Sequence, residues 1–331
     1  MEYVLLKKLL LLILLVCAFL ATAITYWARQ PITSVNAAPI DFVIEAGSGA
    51  RSATEQIAAA GIPVDPQLLE LVARATGKSA RMKAGSYTLK PGSTPLRLIL
   101  QVVRGEFAQE SLVIPEGWTF AQMRAAIAAH PGLKHDSVAW SEAELMAKVA
   151  PEVKAAEGMF FPDTYLFARN ASDMQVYRQA FTMMQKKLDE GWRQRAPDLP
   201  YVTPYQALIM ASIVEKETGR RADRRLVASV FVNRLRRGML LQTDPSVIYG
   251  MGARYQGQIR KSDLLADTPF NTYTRAGLPP TPIALPGEAA LKAALNPVKS
   301  EALYFVARGD GTSQFSDNLN DHNRAVNHYQ R

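Results

Sequence analysis

An uncharged run of twenty residues near the N-terminus, Leu9–Ala28, restricts the fold of this chain more than any other feature of its sequence. A helix of that length is about 30 Å long, which matches the hydrocarbon core of a bilayer. Lys7 and Lys8 precede the run, and basic residues favour the cytoplasmic side of a membrane. Tyr26 and Trp27 fit an interfacial aromatic belt. We therefore expect a single-pass protein of the cytoplasmic (inner) membrane, with its N-terminus inside and its body periplasmic, or more generally extracytoplasmic.

A cleaved signal peptide is the alternative interpretation of the same segment. Leu9–Leu20 would then be the apolar region, and Ala21-Thr22-Ala23 fits a small-residue cleavage site. We favour the anchor because the apolar run continues past that site and ends in aromatic residues. Both interpretations export the body of the protein, which weakens any role in binding intracellular nucleic acid.

Cysteine and histidine usage argues against a metal site. The only cysteine is Cys17, inside the apolar run, and the four histidines lack the spacing of a helical zinc site. We therefore expect neither a metal nor another cofactor. The net charge of +8 suits an anionic partner but does not choose among nucleic acid, lipid and an acidic polymer.

An arginine cluster between residues 220 and 237 is the largest concentration of charge. Its simplest interpretation is the outer face of a helix, and the alternative is a rim that attracts an anionic polymer. Nucleic-acid binding would be favoured by base-stacking aromatics among the arginines. Only Phe231 is present, and it fits the apolar stripe of the helix, so we expect no nucleic-acid partner.

Glycine, proline and capping residues mark the ends of the predicted helices and strands, and the pattern predicts an α+β fold in five segments. They are a cytoplasmic tail (1–8), a transmembrane helix (9–28), a linker (29–40), a small β/α module (41–108) and a mixed α+β domain (109–331). In the module, strands near 42–44 and 84–89 alternate with helices near 53–60, 68–75 and 94–104. In the domain, Leu303–Ala307 predicts a strand, and Gly309-Asp310-Gly311 predicts a hairpin turn to a partner strand.

A helical hairpin over residues 203–238 is the best-punctuated part of the chain. Thr203 and Pro204 fit the start of its first helix, and Asp223 fits the start of its second. At about 100° per residue, Glu215 shares a face with small side chains, whereas Glu217 lies on the opposite side. A glutamate near a helix end is usually solvated, and a general acid needs a pKa raised by partial burial. Spacing alone therefore leaves catalysis by Glu215 open.

Polar residues in the Gly/Pro-rich turns after this hairpin form a second group of candidates. Asp244, Asn271 and Tyr273 lie in such turns. Fixed loops with polar groups often line binding clefts, but Asp and Asn also favour turns for local reasons. The pattern does not choose between the two interpretations.

Several stretches together, in order, resemble the YceG-like endolytic murein transglycosylases. They are Glu157–Tyr165, Ala211–Thr218, Val230–Leu235, Leu241–Gly250, Asn271–Tyr273, Gly277–Pro280 and Tyr304–Val306. The anchor and the β/α module are also similar to that family's layout, in which the first exported module is LysM-like. Two stretches depart from the family's pattern. Ser313-Gln314-Phe315 stands where the family often has a histidine, so the role of that histidine is not carried over. Pro280-Thr281-Pro282 stands where a glycine is commoner, which predicts a local difference in the loop.

The resemblance implies a peptidoglycan lyase with Glu215 as its acid/base. Glu215 would cleave the β-1,4 bond between N-acetylmuramic acid and N-acetylglucosamine endolytically, with closure of a 1,6-anhydro ring, in newly made wall. The residues implied to bind the glycan are Gln242, Thr243, Asp244, Tyr249, Asn271 and Tyr273. Peptidoglycan synthases in the membrane are further candidate partners. No roles are assigned to Glu217, Glu157 or Asp163.

Two other functions remain open from the sequence. The chain would be a membrane-tethered scaffold that binds wall without catalysis if no acid served the glycan. It would be a hydrolytic muramidase if Asp244 or Asp163 faced the acid, because ordinary glycosidases use a pair of carboxylates.

Overall fold

The computed structural model describes residues 2–330 and has a mixed α+β architecture, as predicted. The chain forms two compact units. The first runs up to Glu110 and includes Phe167–Asn170, and the second comprises Ser111–Leu166 and the chain from Ala171 onward. The predicted division into functional domains stays a prediction, because compactness does not reveal what each unit does.

The helices and strands of the described residues have the following bounds. The helices are α1 (Glu2–Arg29), α2 (Ala50–Ala59), α3 (Pro66–Ala75), α4 (Pro95–Arg104), α5 (Phe120–Ala129), α6 (Glu142–Val149), α7 (Asp173–Arg193), α8 (Pro204–Glu217), α9 (Arg224–Arg236), α10 (Asp244–Met251), α11 (Lys261–Leu265), α12 (Glu288–Leu295) and α13 (Leu319–Tyr329). The strands are β1 (Ile40–Ile44), β2 (Gly85–Leu89), β3 (Gln109–Val113), β4 (Leu133–Lys134), β5 (Thr164–Ala168), β6 (Ala171–Ser172), β7 (Tyr304–Ala307) and β8 (Ser313–Ser316).

The first unit is built on the antiparallel pair β1–β2. Phe42 lies opposite Tyr87, and their rings stack with centres 5.3 Å apart. Ile57, Leu69 and Leu98, one from each of α2, α3 and α4, complete a fully buried core. The strands and helices of the module lie where the sequence predicts them, to within a few residues. Its kinship to LysM modules stays a prediction.

The N-terminal helix α1 is long and apolar enough to cross a membrane, by length and composition only. Its last turn belongs to the first unit, because Ala28 is buried in the core and Trp27 packs against it. Trp27 therefore has a packing role that the interpretation as an interfacial aromatic missed. Tyr26 on the neighbouring face is exposed.

The second unit surrounds helix α8. Ala207–Val214 are all buried, since α7, α9, α10 and α12 pack around the helix. Helices α8 and α9 lie where the sequence predicts a helical hairpin. Thr203 caps α8 by accepting the backbone N–H of Gln206, with Pro204 at its first position.

Two further features of the second unit shape the site described below. β7 and β8 form the predicted antiparallel hairpin, with Phe305 opposite Phe315. Asp244, which the sequence places in a turn, instead begins helix α10, with Pro245 in its first turn. A threonine before an acid and a proline is a helix-start signal, which the turn interpretation overlooked.

Candidate active site

A cavity of about 700 Å³ opens in the second unit beside the C-terminal end of helix α8. One wall consists of Glu217, the loop 241–244 and Tyr273, and the other of the β7–β8 hairpin and helix α13. Its lining mixes carboxylates, amides, aromatic rings and aliphatic side chains. Such a mixture suits a saccharide, which offers hydroxyls at its edges and apolar faces.

Glu217, the last residue of α8, is one of two acids that line this cavity, the other being Asp244. The Thr243 hydroxyl donates a hydrogen bond to the Glu217 carboxylate. Burial raises the pKa of Glu217 to about 7, the hydrogen bond from Thr243 opposes the rise, and the charge of Asp244 adds to it. Near neutral pH, comparable fractions of this carboxyl are protonated and ionised, which is the state that acid/base catalysis requires.

The segment Gln242–Asp244, which leads into α10, holds three of the predicted glycan-binding residues around Glu217. Gln242 adopts a left-handed backbone conformation with φ of 52°, which is strained for a non-glycine residue. The backbone N–H groups of Gln242 and Thr243 donate to the carbonyl and the hydroxyl of Thr272, at 3.1 and 3.0 Å. These bonds hold the loop so that Gln242 and Asp244 are exposed and line the cavity.

Tyr273 reaches the same cavity from the next loop. Its hydroxyl donates to Oδ1 of Asp244 at 2.5 Å, so the two side chains form one polar unit. The structure thus brings Gln242, Asp244 and Tyr273 together beside Glu217, while Thr243 is buried and acts through its hydrogen bond to that acid.

Arg234 is a largely buried cation in the lining of the cavity. It donates to the carbonyl oxygens of Leu303 and Leu241 at 2.7 and 2.9 Å, and to Oε1 of Gln242 at 3.2 Å. Burial lowers the pKa of Arg234, and the guanidinium in turn lowers the pKa of Glu217. Arg224 is buried as well, so the interpretation of the arginine cluster as an outer face is wrong for these two members. Their buried carbonyl and carboxylate partners explain the difference.

Glu215 has a different environment. Its Oε1 accepts a hydrogen bond from Arg224 at 2.8 Å, and its Oε2 accepts the backbone N–H of Gly287 at 2.9 Å. The Glu215 and Arg224 side chains are only 5% and 7% exposed. Burial raises the pKa of Glu215, while the Gly287 N–H and Arg224 oppose the rise. Glu215 thus links α8 to α9 through Arg224, and to the turn before α12 through Gly287.

Among the described residues, Glu215 is not one of those that line the Glu217 cavity. A carboxylate that already accepts a charged and a backbone donor is arranged to hold its surroundings together. The catalytic role of Glu215 stays a prediction, and this geometry favours Glu217 instead.

Two predicted glycan-binding residues have structural partners. The Asn271 amide donates to the carbonyl oxygens of Leu264 and Ala266, at 3.0 and 2.6 Å, and is buried. The Tyr249 hydroxyl donates to Glu157 at 3.1 Å. These bonds fix the loops around the site and leave the binding role of both residues a prediction.

Glu157 is a buried acid away from the cavity lining. It accepts the backbone N–H of Phe120, the first residue of α5, so that it stabilises a helix start. Burial raises the pKa of Glu157 to about 7. Asp163 is exposed and accepts its neighbour's backbone N–H, from Thr164. Neither acid joins Glu217 on the cavity.

Sequence reasoning missed the second wall of the cavity. Ser313, which stands where the resembled family often has a histidine, lines that wall together with Tyr304 and His322. Only the prediction of the β7–β8 hairpin pointed there, since α13 was not identified from the sequence.

Comparison with known proteins gives consistent matches. The model of the YceG-like family matches residues 42–328. The endolytic murein transglycosylase of Bacillus subtilis (strain 168) is 31% identical, over 75% of this chain and 73% of that protein. The endolytic murein transglycosylase of Streptococcus pneumoniae serotype 2 is 30% identical over 74% of this chain, which spans about half (50%) of that relative. A crystal structure of a yceG-like protein from Listeria monocytogenes superposes with a TM-score of 0.54 at 28% identity, covering 87% of this chain and 99% of that one.

Proposed function

Since this chain belongs to the YceG-like family, we propose that it is an endolytic lytic transglycosylase of peptidoglycan in which Glu217 is the acid/base. Its relatives' names confirm the enzyme class, that of lyases acting on murein. The proposal adds the bond that is cleaved, the 1,6-anhydro product and the residues that act on the glycan. The observation that carries it is the Glu217 carboxyl, whose pKa burial raises to about 7, on a cavity that Gln242, Asp244 and Tyr273 also line.

The chemistry proceeds by one proton moving out and back. Protonated Glu217 donates to the glycosidic oxygen as the bond from that oxygen to C1 of N-acetylmuramic acid breaks, so the departing N-acetylglucosamine keeps a hydroxyl. The resulting carboxylate then takes the proton of the muramic 6-hydroxyl, whose oxygen bonds to C1. The product is a 1,6-anhydro ring, and Glu217 is protonated again.

The surrounding groups support both halves of this cycle. Burial keeps the protonated form of Glu217 available, and the charge of Asp244 adds to that effect. The Thr243 hydroxyl and the Arg234 charge stabilise the carboxylate that forms after donation. Neither half of the cycle needs a second carboxylate as nucleophile, because the nucleophile belongs to the sugar.

A hydrolytic muramidase is the second candidate, since Asp244 places a second carboxyl group on the same cavity. The two reactions differ in the source of the new oxygen. We expect the full-length chain in detergent, digesting purified sacculi in water labelled with the heavy oxygen isotope, to release unlabelled anhydro-muropeptides. Reducing ends that carry the label would instead establish hydrolysis.

Asp244 also gives a prediction for the pH profile. Because Glu217 must be protonated to donate, kcat/KM should fall as the pH rises through about 7. The negative charge of Asp244 raises the pKa of Glu217, so Asp244→Asn should lower that pKa and move the basic limb to lower pH. Asp189→Asn, an exposed site on α7, is the control for the change in net charge. An unmoved limb in Asp244→Asn would contradict the assignment of the limb to Glu217.

Membrane anchoring by α1, an extracytoplasmic body and a preference for newly made wall complete the proposal. The apolar run and Lys7 and Lys8 before it support the orientation. Peptidoglycan synthases are the proposed partners in the membrane. Catalysis distinguishes the enzyme from the scaffold alternative. A scaffold would bind wall equally well as the wild-type chain and as Glu217→Gln, and neither chain would release anhydro products.

A further inference from the structure

The wall of the cavity opposite the Asp244 loop carries an ordered aromatic stack. The His322 ring, from α13, lies on the Tyr304 ring of β7 with centres 5.1 Å apart and planes at 23°. The guanidinium carbon of Arg234 lies 5.0 Å from the centre of the same Tyr304 ring. Because Arg234 is fixed by backbone carbonyls, the stack anchors the His322 ring to a rigid part of the unit.

The ring nitrogens of His322 are in unequal environments. Nδ1 is buried and has no hydrogen-bond partner among the described residues. Nε2 is not among the buried unpartnered atoms, and His322 lines the cavity, so Nε2 is the nitrogen available to a ligand. Burial and the nearby Arg234 charge lower the pKa of His322, so the ring is neutral at neutral pH. A neutral imidazole has one donor and one acceptor nitrogen, which matches a sugar hydroxyl or acetamido group.

We propose that His322 is a glycan-binding residue, which holds a hydroxyl or an acetamido group of the saccharide through Nε2 on the wall opposite Asp244. The inference rests on the proposed function, since it places the same glycan in the same cavity as Glu217. Helix α13 adds Asn323 and Val326 beside it, so this wall offers polar and apolar contacts to one sugar unit. The glycan thus lies between α13 and the loop 241–244.

The test uses the full-length chain in detergent, with Glu217→Gln to prevent turnover. The probe is a peptide-free oligosaccharide of alternating N-acetylglucosamine and N-acetylmuramic acid, and its Kd is measured by calorimetry. Adding His322→Phe keeps a flat ring on Tyr304 but removes both nitrogens. Loss of one hydrogen bond to the ligand should raise Kd about tenfold. His322→Gln, which restores a donor, should recover part of the affinity.

His328 provides a matched control on the same helix. It lines a separate cavity with Asp321 and Arg324, so His328→Phe should leave Kd unchanged. If His322 served only to stack on Tyr304, His322→Phe would bind the oligosaccharide as tightly as its parent, and the inference would be overturned. Oligosaccharide binding that failed in the parent, together with no anhydro products from the wild-type chain, would overturn the proposed function as well.

A second measurement does not depend on whether His322→Phe folds. Imidazole nitrogen chemical shifts of the Glu217→Gln chain are recorded with and without the oligosaccharide, with His322→Gln used only to assign the signal. We expect the Nε2 signal of His322 to move on binding while that of His328 stays in place. A stationary His322 signal at saturating oligosaccharide would overturn the inference even if His322→Phe failed to fold.

Discussion

Glu217→Gln is expected to lower kcat for anhydro-muropeptide release about a thousandfold, within the range that a general acid/base contributes. Glutamine has nearly the same shape but carries no titratable proton, so it can neither donate to the glycosidic oxygen nor accept from the 6-hydroxyl. The KM for glycan strands should change little, because Gln242, Asp244 and Tyr273 still line the cavity. Steady-state kinetics with the full-length chain in detergent and soluble, uncrosslinked glycan strands provides the measurement.

The same substitution separates the enzyme from a scaffold. A chain that only binds wall would show no release of anhydro products before the substitution, and thus no loss after it. If Glu217→Gln kept kcat within about tenfold of the wild-type value, the acid/base would have to be another group.

Glu215→Ala is expected to destabilise the second unit by about 3–5 kcal/mol, the cost of removing one member of a buried ion pair. Arg224 would keep its buried charge without Glu215, and the N–H of Gly287 would lose its acceptor. The Arg224 Nη1 nitrogen is buried without a partner among the described residues. The carboxylate of Glu116, 3.8 Å from Nη2, is more exposed than that of Glu215 and would compensate only in part. Urea unfolding followed by circular dichroism measures the change in free energy of unfolding.

The control for this experiment is Glu190→Ala, which removes an exposed glutamate from α7. We expect it to change the free energy of unfolding by less than about 0.5 kcal/mol, as surface substitutions usually do. The folded fraction of Glu215→Ala should retain far more kcat than Glu217→Gln. A Glu215→Ala chain as stable as wild type but without activity would instead favour the original prediction for Glu215.

The two glutamates show where sequence reasoning reached its limit. Helical geometry correctly separates Glu215 from Glu217 by about half a turn of the helix. It does not show which side faces the cavity, because Ala207–Val214 are buried all around and α8 has no polar face to orient it. The resemblance supplied the helix and its acids, but the choice between them depends on what α9, α12 and the loop 241–244 pack against each one.

Other parts of the fold could be predicted because they depend on local sequence patterns. The strands β1 and β2, the start of α8 and the β7–β8 hairpin follow from alternation, capping residues and glycine turns. Helix α12 and helix α13 were not identified. The burial of Arg224 and Arg234 was also missed, since arginines are mostly exposed. The carbonyl of Leu303, which accepts from Arg234, lies 69 residues along the chain, and Glu215, which accepts from Arg224, belongs to a different helix.

The predicted glycan-binding residues include some that face the cavity and one that turns inward. Gln242, Asp244 and Tyr273 meet at one cavity because Thr272 holds the strained backbone of Gln242 and because Tyr273 donates to Asp244. Asn271 belongs to the same stretch of sequence but turns inward to carbonyl groups. Composition of a loop does not distinguish the side chains that support it from those that face a ligand.

Titration of the Glu217 carboxyl shows directly whether this group holds a proton at neutral pH. The full-length chain, labelled with carbon-13 at the glutamate side-chain carboxyl, is followed by NMR across the pH range, and the Glu217→Gln chain identifies the signal. We expect a midpoint of about 7, since burial holds the pKa of this group well above its usual 4.5. A midpoint near 4.5 would contradict it, because Glu217 would then be ionised at neutral pH and would have no proton to donate.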